Sequence, residues 1–272
     1  MLDKYKENGF IILKSTITDN NLKHFNEGFE LLLKKECNDL GKTFSDYYND
    51  GFKWLDKNNH SQIHNIYNIL RNSDILSRIV FQENILSAIK VLMGKKDNES
   101  LYKTYHVCRM DPPEDTTFLL HWHQESYSTI PHTNSIQMWC PLINRNDEKN
   151  GSIDILVGSH KKEIPHYLER LSDNYLSYSI PESSIENFND YNKITVGMDP
   201  GDVLLFHPNL IHRSNNNYSS NVRYSLTTHF IDPKDENFKL ISDNEIVRIN
   251  RKRCVNAKDF LDEIDKENLT YY

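Results

Sequence analysis

Residues 121–126 read HWHQES, and two histidines and a glutamate occupy every second position of this stretch. If the stretch is a β-strand, its period of two places His121, His123 and Glu125 on one face. Imidazoles and a carboxylate that share a face are candidate metal ligands. A His-x-Glu pair is common by chance, and His121 competes with His123 as a ligand. The surrounding sequence must therefore decide whether this is a metal site.

The segments around HWHQES have the composition of short β-strands. From about residue 101 onwards, they are rich in β-branched and aromatic residues and are separated by turn sequences. Short strands that follow one another without intervening helices predict a β-sandwich or barrel. These segments are LYKTYHVCRM, SIQMWCPL, GSIDILVG, GDVLLF and VRYSLTTHF.

The rest of the chain divides into three parts around this β-rich region. Residues 1–100 show apolar side chains at helical spacing and are predicted to be mostly helical. Residues 161–195 are predicted to be an insertion with helical and loop parts, and residues 232–272 a C-terminal extension. We therefore predict one α+β domain over 1–272, mainly β, whose N-terminal helices pack on an all-β core at 101–231.

The overall composition limits the class of protein. The chain has 272 residues, 26% of them charged, and a formal net charge of −7, as is typical of a soluble globular protein. The negative charge argues against nucleic acid or an anionic membrane as a partner. No apolar run approaches the length of a membrane span, and the start lacks a signal-peptide core. We expect a cytoplasmic protein with a small-molecule substrate, and the oligomeric state stays open.

Two downstream features turn the His-x-Glu pair into a specific hypothesis. A distal histidine, His207 or His212, follows the strand GDVLLF, and Arg223 begins the next strand. Two imidazoles and one carboxylate bind Fe(II) on one side and leave coordination positions for a chelating 2-oxo acid and O2. A guanidinium is the best bidentate partner for the remote carboxylate of 2-oxoglutarate. We therefore predict an iron site at His123 and Glu125, with Arg223 binding the co-substrate.

With these motifs, the sequence resembles the phytanoyl-CoA dioxygenase family of Fe(II)/2-oxoglutarate-dependent oxygenases over roughly residues 8–231. The opening NGFIILKSTITDNNLKHF is similar to the strand and helix with which that family starts. HWHQES resembles the HQD metal motif, although Glu125 stands where Asp is more usual. NDEKNGSIDILVGSHK is similar to the segment ENG-x-L-x-x-x-PGSH, and DPGDVLLFHPNLIHRSNNNYSSNVR to the segment GD-x-x-x-F…H-x-S-x-x-N-x-S…R.

The resemblance implies a double-stranded β-helix, or jelly roll, and it assigns the iron ligands. His123 and Glu125 match the first two ligand positions of the family. His212, rather than His207, matches the distal ligand. His121 shares the predicted face of the ligands, so we expect it either to contact the site from outside or to be an ordinary packed histidine.

The resemblance also implies how the co-substrate is bound. Arg223 matches the family arginine that binds the carboxylate of 2-oxoglutarate, and Ser214 matches a hydroxyl that helps to hold it. Trp139 matches a tryptophan near the 2-oxoglutarate pocket, and Tyr105 is a further co-substrate candidate. Arg213 stands where the family often has a small residue, and we expect it to face either solvent or the substrate.

The implied function is that of an Fe(II)- and 2-oxoglutarate-dependent dioxygenase that hydroxylates a small polar metabolite or biosynthetic intermediate. Glu125 favours hydroxylation or a related oxidation, because a halogenating relative would lack the carboxylate. Two alternatives stay open: a cupin-type metal-binding isomerase, and a non-catalytic binding module on the same fold. Arg223 and Ser214 argue against the isomerase, which has no use for a co-substrate clamp.

Overall fold

Helices dominate the first hundred residues of the chain, as predicted. The computed structural model describes residues 1–117, 119–127, 134–172, 175–238 and 243–266. Within these ranges the α-helices are α1 (Leu2–Asn8), α2 (Asp19–Asp39), α3 (Phe52–Asn58), α4 (His60–Arg71), α5 (Asp74–Val80), α6 (Glu83–Leu92), α7 (Asp243–Arg253) and α8 (Leu261–Lys266).

The strands of the same ranges form antiparallel sheets. One early strand lies among the helices, and the others begin at residue 102. The strands are β1 (Phe10–Leu13), β2 (Tyr102–Asp111), β3 (Ser135–Pro141), β4 (Asp154–Leu156), β5 (Tyr167–Ser172), β6 (Tyr175–Ser179), β7 (Lys193–Thr195), β8 (Val203–Phe206), β9 (His212–Arg213) and β10 (Arg223–Ile231).

Sheet order brings strands together that are far apart in the chain. The larger sheet has five strands in the order β1-β8-β3-β10-β2, the smaller sheet has the order β7-β4-β9, and β5 and β6 form a hairpin. All of these pairings are antiparallel. Because β10 lies between β2 and β3, residues 223–231 lie next to residues 102–111 on one side and to residues 135–141 on the other. The α+β architecture is the one predicted.

Helix α2 shows how local sequence sets the helical layer. Its N-cap is Thr18, whose hydroxyl accepts a hydrogen bond from the Asn21 amide at 3.3 Å. Phe25, Phe29 and Leu33, at helical spacing, are fully buried on one face of the helix. No helix in the described ranges combines the length and the apolar composition that crossing a membrane requires.

Strand β10 separates the hydrophobic core from the functional side of the sheet. Its residue Tyr224 is fully buried, and its ring makes edge contacts with Phe29 at 5.1 Å and Phe52 at 5.8 Å. Its hydroxyl donates a hydrogen bond to the Tyr48 carbonyl at 2.5 Å. Side chains alternate along a strand, so Arg223 and the other odd-numbered residues point to the opposite face.

The segment 161–195 differs from its prediction as a helical and loop insertion. It contains the β5–β6 hairpin, strand β7 and short 3-10 turns. Leu168 and Leu176 of the hairpin are buried against Ala257 and Ile264 of the C-terminal extension. This apolar contact explains the strands, because a two-stranded hairpin needs further packing to be stable. The contact partners lie about ninety residues away, beyond the reach of local patterns.

We predict that Tyr224→Ala destabilises the fold strongly, because it removes a fully buried aromatic ring and the hydrogen bond that its hydroxyl donates. The expected loss of unfolding free energy is about 3–5 kcal/mol, measured by urea denaturation. Tyr218→Ala is the control, since Tyr218 is 68% exposed, and it should change stability by no more than about 0.5 kcal/mol. Equal effects of both substitutions would contradict the placement of Tyr224 in the core.

Candidate metal and co-substrate site

The stretch HWHQES is not a β-strand, so that prediction is wrong. His123 forms an isolated bridge with His212: the His123 amide donates to the His212 carbonyl at 3.0 Å, and the reverse bond is 3.1 Å. The chain then enters a 3-10 turn over Glu125–Tyr127. The ladder stops because the Gln124 amide donates to Nε2 of His166 at 2.9 Å instead of to a neighbouring strand.

The side chain of Gln124 fixes the metal motif in place. Its amide nitrogen donates to the carbonyls of Lys162 at 2.8 Å and Asn209 at 2.6 Å. Its carbonyl oxygen accepts from the Ile164 amide at 2.8 Å. Gln124 is fully buried, so these bonds are protected from water. They tie the turn that carries Glu125 to two other segments of the chain.

The structure brings three predicted ligands together. One ligand atom each of His123, Glu125 and His212 lies within 4.8 Å of the others, and all three residues are buried. Oε1 of Glu125 is 3.4 Å from Nε2 of His123 and 3.6 Å from Nε2 of His212. Two imidazoles and one carboxylate on one side of a small space match the donor set that non-haem Fe(II) uses.

Backbone hydrogen bonds fix the tautomers of both imidazoles. Nδ1 of His123 is 2.7 Å from the His121 carbonyl, and Nδ1 of His212 is 2.8 Å from the Leu210 carbonyl. A carbonyl oxygen only accepts, so each neutral ring has its proton on Nδ1 and a lone pair on Nε2. Nε2 of His123 is buried without a hydrogen-bond partner in the described structure. The Nε2 lone pairs and the Glu125 carboxylate that they face are together suited to bind a cation.

The protonation states of the cluster also suit a metal. Burial raises the pKa of Glu125, but the adjacent imidazoles of His123 and His212 outweigh it and hold that pKa well below its usual range. Burial and the neighbouring His123 lower the pKa of His212. An ionised carboxylate and a neutral imidazole at neutral pH are the forms that metal binding requires.

The two competing histidines lie outside this cluster. The side chain of His121 is half-exposed, and its Nδ1 is 2.9 Å from the Glu169 carboxylate. Only its backbone carbonyl contacts the site, through His123. Nδ1 of His207 accepts the Asn209 amide at 3.0 Å. The structure therefore groups His123 and His212, and neither competitor, with the carboxylate.

Arg223 presents an unpartnered guanidinium nitrogen next to this cluster. It is 4% exposed, and its Nη2 and Nε lie 2.9 Å and 3.2 Å from Oδ2 of Asp111. Nη2 of Arg109 is 2.7 Å from the other oxygen of Asp111. Nη1 of Arg223 is buried and has no hydrogen-bond partner among the described residues. Asp111 thus orients the guanidinium and leaves part of it for a ligand carboxylate.

The environment keeps Asp111 ionised. Burial raises its pKa, but the charges of Arg109 and Arg223 and their hydrogen bonds outweigh burial and hold the pKa far below its usual range. Local sequence does not point to Asp111, because the residue ends β2 and meets Arg223 only through the register of β10. One carboxylate between two guanidiniums leaves a net positive charge, which suits an anionic co-substrate.

A cavity of about 500 Å³ connects these groups. Its wall contains the three candidate ligands together with Arg223, Ser214 and Trp139. Ser214 and Trp139 therefore lie beside the cavity in which the co-substrate was predicted to bind. The backbone of Tyr105 belongs to β2, but its side chain is outside the described part of the structure, and its role stays a prediction.

The side chain of Arg213 is 32% exposed and is not part of the cavity wall. Its Nη2 and Nε are 2.8 Å and 3.0 Å from the Asp154 carboxylate on the neighbouring strand. Its guanidinium also lies over the Trp122 ring, 4.6 Å from the ring centroid. These contacts give Arg213 a place in the packing of the smaller sheet.

The cavity wall includes further residues that the sequence analysis did not identify. His229 continues the odd-numbered face of β10, and Gln137 precedes Trp139 by two positions on β3, so strand periodicity was a usable signal for both. Others come from the hairpin and from α7, whose positions depend on tertiary packing. They are Leu176, Tyr178, Val247 and Arg251.

The fold and the buried His–Glu–His group define a jelly-roll protein with a candidate metal centre. A family model described as Phytanoyl-CoA dioxygenase (PhyH) matches residues 5–225. This match covers most of the 272 residues, and the chain therefore belongs to the phytanoyl-CoA dioxygenase family. The resemblance stated from the motifs is confirmed.

Curated relatives are distant and longer. The peroxisomal phytanoyl-CoA dioxygenase of Bos taurus is 25% identical over 240 residues, which cover 84% of this chain and 66% of the relative. The ectoine dioxygenase of Sphingopyxis alaskensis is 25% identical over 171 residues, 58% of this chain and 54% of the relative. The chain spans about two thirds of the length of the mammalian relatives it matches.

Solved structures confirm the predicted fold. EctD from S. alaskensis with bound Fe has a TM-score of 0.60 at 16% identity, covering 88% of this chain and 78% of that chain. The epimerase SnoN in complex with Fe3+, alpha ketoglutarate and nogalamycin RO has a TM-score of 0.57 at 14% identity, covering 86% and 83%. The jelly-roll prediction is correct.

The two distal histidines allow a matched test of the metal centre. We predict that His212→Ala weakens Fe(II) binding by more than about 100-fold, the upper end of the loss that follows removal of an outer hydrogen-bond partner. His207→Ala should bind Fe(II) as the wild type does. Anaerobic calorimetry measures both affinities. Equal losses, or a larger loss for His207→Ala, would contradict the grouping.

Proposed function

We propose that this protein is an Fe(II)- and 2-oxoglutarate-dependent dioxygenase that hydroxylates a small polar metabolite or biosynthetic intermediate. One observation carries the proposal: a buried His–Glu–His group and a nitrogen of Arg223 that has no partner among the described residues line the same cavity. Family membership supports the same reaction class. A cytoplasmic location, expected from the sequence, is also part of the proposal, although the mammalian relatives are named as peroxisomal.

The ligand set would hold iron from one side. His123, Glu125 and His212 would bind Fe(II), which, when bound, supplies O2 activation coupled to the decarboxylation of 2-oxoglutarate to succinate. The protein contributes fixed tautomers, since both Nδ1 atoms donate to backbone carbonyls. It also buries all three ligands, which excludes bulk water from the reacting centre.

Arg223 would bind the remote carboxylate of 2-oxoglutarate. Asp111 holds the Nε and Nη2 atoms of Arg223, so the guanidinium is already oriented before the co-substrate arrives. The Ser214 hydroxyl and the Trp139 ring would contact the co-substrate from other parts of the cavity wall. Tyr105 remains a further candidate in the proposal.

The unpartnered nitrogen of Arg223 distinguishes this proposal from the alternatives. An isomerase on the same fold needs a metal but no binding site for a dicarboxylate. The buried guanidinium of Arg223 would therefore have no use in an isomerase. A non-catalytic module needs neither the neutral imidazoles nor the ionised Glu125. One structural neighbour is named an epimerase, so the fold also carries a reaction other than hydroxylation, and product analysis would separate the two outcomes.

Succinate formation without added substrate is the direct test of the reaction class. We expect the wild-type protein, supplied with Fe(II), O2 and 2-oxoglutarate, to form succinate slowly, because many such sites turn over their co-substrate uncoupled. His123→Ala should abolish this turnover, since it removes one of three ligands. Measured succinate that is equal in both proteins, or absent under every metal tried, would contradict the proposal.

We predict that Arg223→Lys raises KM for 2-oxoglutarate by about ten- to a hundredfold, because a charge-assisted hydrogen bond contributes about 1.5–3 kcal/mol. A lysine cannot contact Asp111 and a ligand carboxylate in the same fork geometry. Steady-state succinate release measures the effect, and kcat at saturating 2-oxoglutarate should change less than KM. Arg213→Lys is the control, since Arg213 also pairs with a buried aspartate. A similar KM in all three proteins would refute the assignment.

A further inference from the structure

Gln137 is a buried polar residue that takes no part in the proposed binding of Fe(II) or 2-oxoglutarate. It lies on β3, is 1% exposed and lines the cavity. Both its amide nitrogen and its carbonyl oxygen are buried without a hydrogen-bond partner in the described parts of the chain. An unpartnered buried amide costs free energy that an apolar side chain of the same shape would not. A partner that enters the cavity would recover this cost.

Sheet pairing places Gln137 beside a residue that contacts the candidate ligand His212. It pairs with Phe206 of β8, whose ring lies against the His212 ring with centroids 4.9 Å apart. On its other side, Gln137 pairs with His229 of β10. His229 is six residues beyond Arg223 on β10, so Gln137 lies opposite the part of this strand that is far from Arg223. A five-carbon co-substrate that extends from the metal towards Arg223 therefore points away from Gln137.

The part of the cavity around Gln137 has the character of a substrate chamber. Tyr178 of the hairpin lies edge-on to His123, with ring centroids 6.2 Å apart. Leu176 from the same hairpin and Val247 from α7 add apolar surface, and α7 lies outside the residues matched by the family model. The hairpin and α7 thus line the part of the cavity that also contains Gln137.

We propose that Gln137 binds the substrate directly, and that the substrate carries a hydrogen-bond donor and an acceptor side by side, as a carboxamide or a lactam does. A primary amide has one carbonyl acceptor and an NH2 donor in one plane. A cis N–H next to a C=O satisfies both at once, whereas a carboxylate would leave the Gln137 carbonyl unmatched. This inference rests on the proposed function and specifies its substrate class.

Two small probes test this complementarity without knowledge of the substrate. 2-Pyrrolidone has an N–H beside its C=O, and cyclopentanone has the same ring shape without that donor. Binding is measured by ligand-observed NMR in protein loaded with redox-inactive Zn(II) and 2-oxoglutarate. The wild type should prefer pyrrolidone by about fivefold, the contribution of a typical hydrogen bond. Gln137→Met should lose this preference.

Stability separates a ligand-binding role from a structural one. Because the Gln137 amide has no partner to lose among the residues that the structure describes, Gln137→Met should melt at the same temperature as the wild type or higher. Met138→Leu, on the opposite face of β3 and fully buried, is the control for a volume-conserving change, and it should keep the pyrrolidone preference. Gln137→Leu replaces Gln137→Met if the methionine variant does not fold.

The results that would overturn the role of Gln137 differ from those that would overturn the proposed function. A drop in melting temperature of both Gln137 variants, or failure of both to fold, would show a structural role and overturn the inference. So would a pyrrolidone preference that survives in Gln137→Met or is missing from the wild type. Calorimetry of 2-oxoglutarate with the same Zn(II)-loaded proteins tests the proposed function independently. The Gln137 variants should bind 2-oxoglutarate as the wild type does. Absence of 2-oxoglutarate binding by the wild type would count against the oxygenase.

Discussion

The reciprocal backbone bridge between His123 and His212 is the interaction on which the rest of the site depends. Two hydrogen bonds of 3.0 Å and 3.1 Å join these residues from distant parts of the chain. In each case, Nδ1 donates to the carbonyl two residues earlier, so both Nε2 lone pairs are set by the backbone. The bridge brings the two imidazole ligands to one place through backbone contacts, and the turn that follows Gln124 adds the carboxylate.

The other half of the site depends on strand β10, which divides its side chains between two tasks. Even-numbered residues such as Tyr224 pack against the helical layer, and Arg223, Thr227 and His229 line the cavity. Loss of register by one residue would move Arg223 from the cavity into the core. The buried aromatic contacts of Tyr224 therefore also hold the guanidinium opposite Asp111. Stability and co-substrate binding share one strand.

Much of this was predictable from local sequence, and the failures have a common cause. Residue chemistry and spacing pointed to His123, Glu125 and Arg223, and apolar periodicity gave the helical N-terminal part. The strand predicted for HWHQES was wrong because His166, forty residues later, takes the hydrogen bond that a neighbouring strand would accept. The β5–β6 hairpin, Asp111 and Gln137 likewise acquire their roles through packing or register, which a single sequence does not specify.

The most direct test of the central claim is the position of iron itself. Anomalous diffraction at the iron absorption edge, from crystals grown with Fe(II) without oxygen, would locate the ion. We predict one strong peak at bonding distance from Nε2 of His123, Nε2 of His212 and the carboxylate of Glu125. A peak at any other group of residues, or crystals that take up no iron although these three side chains are ordered, would contradict the account.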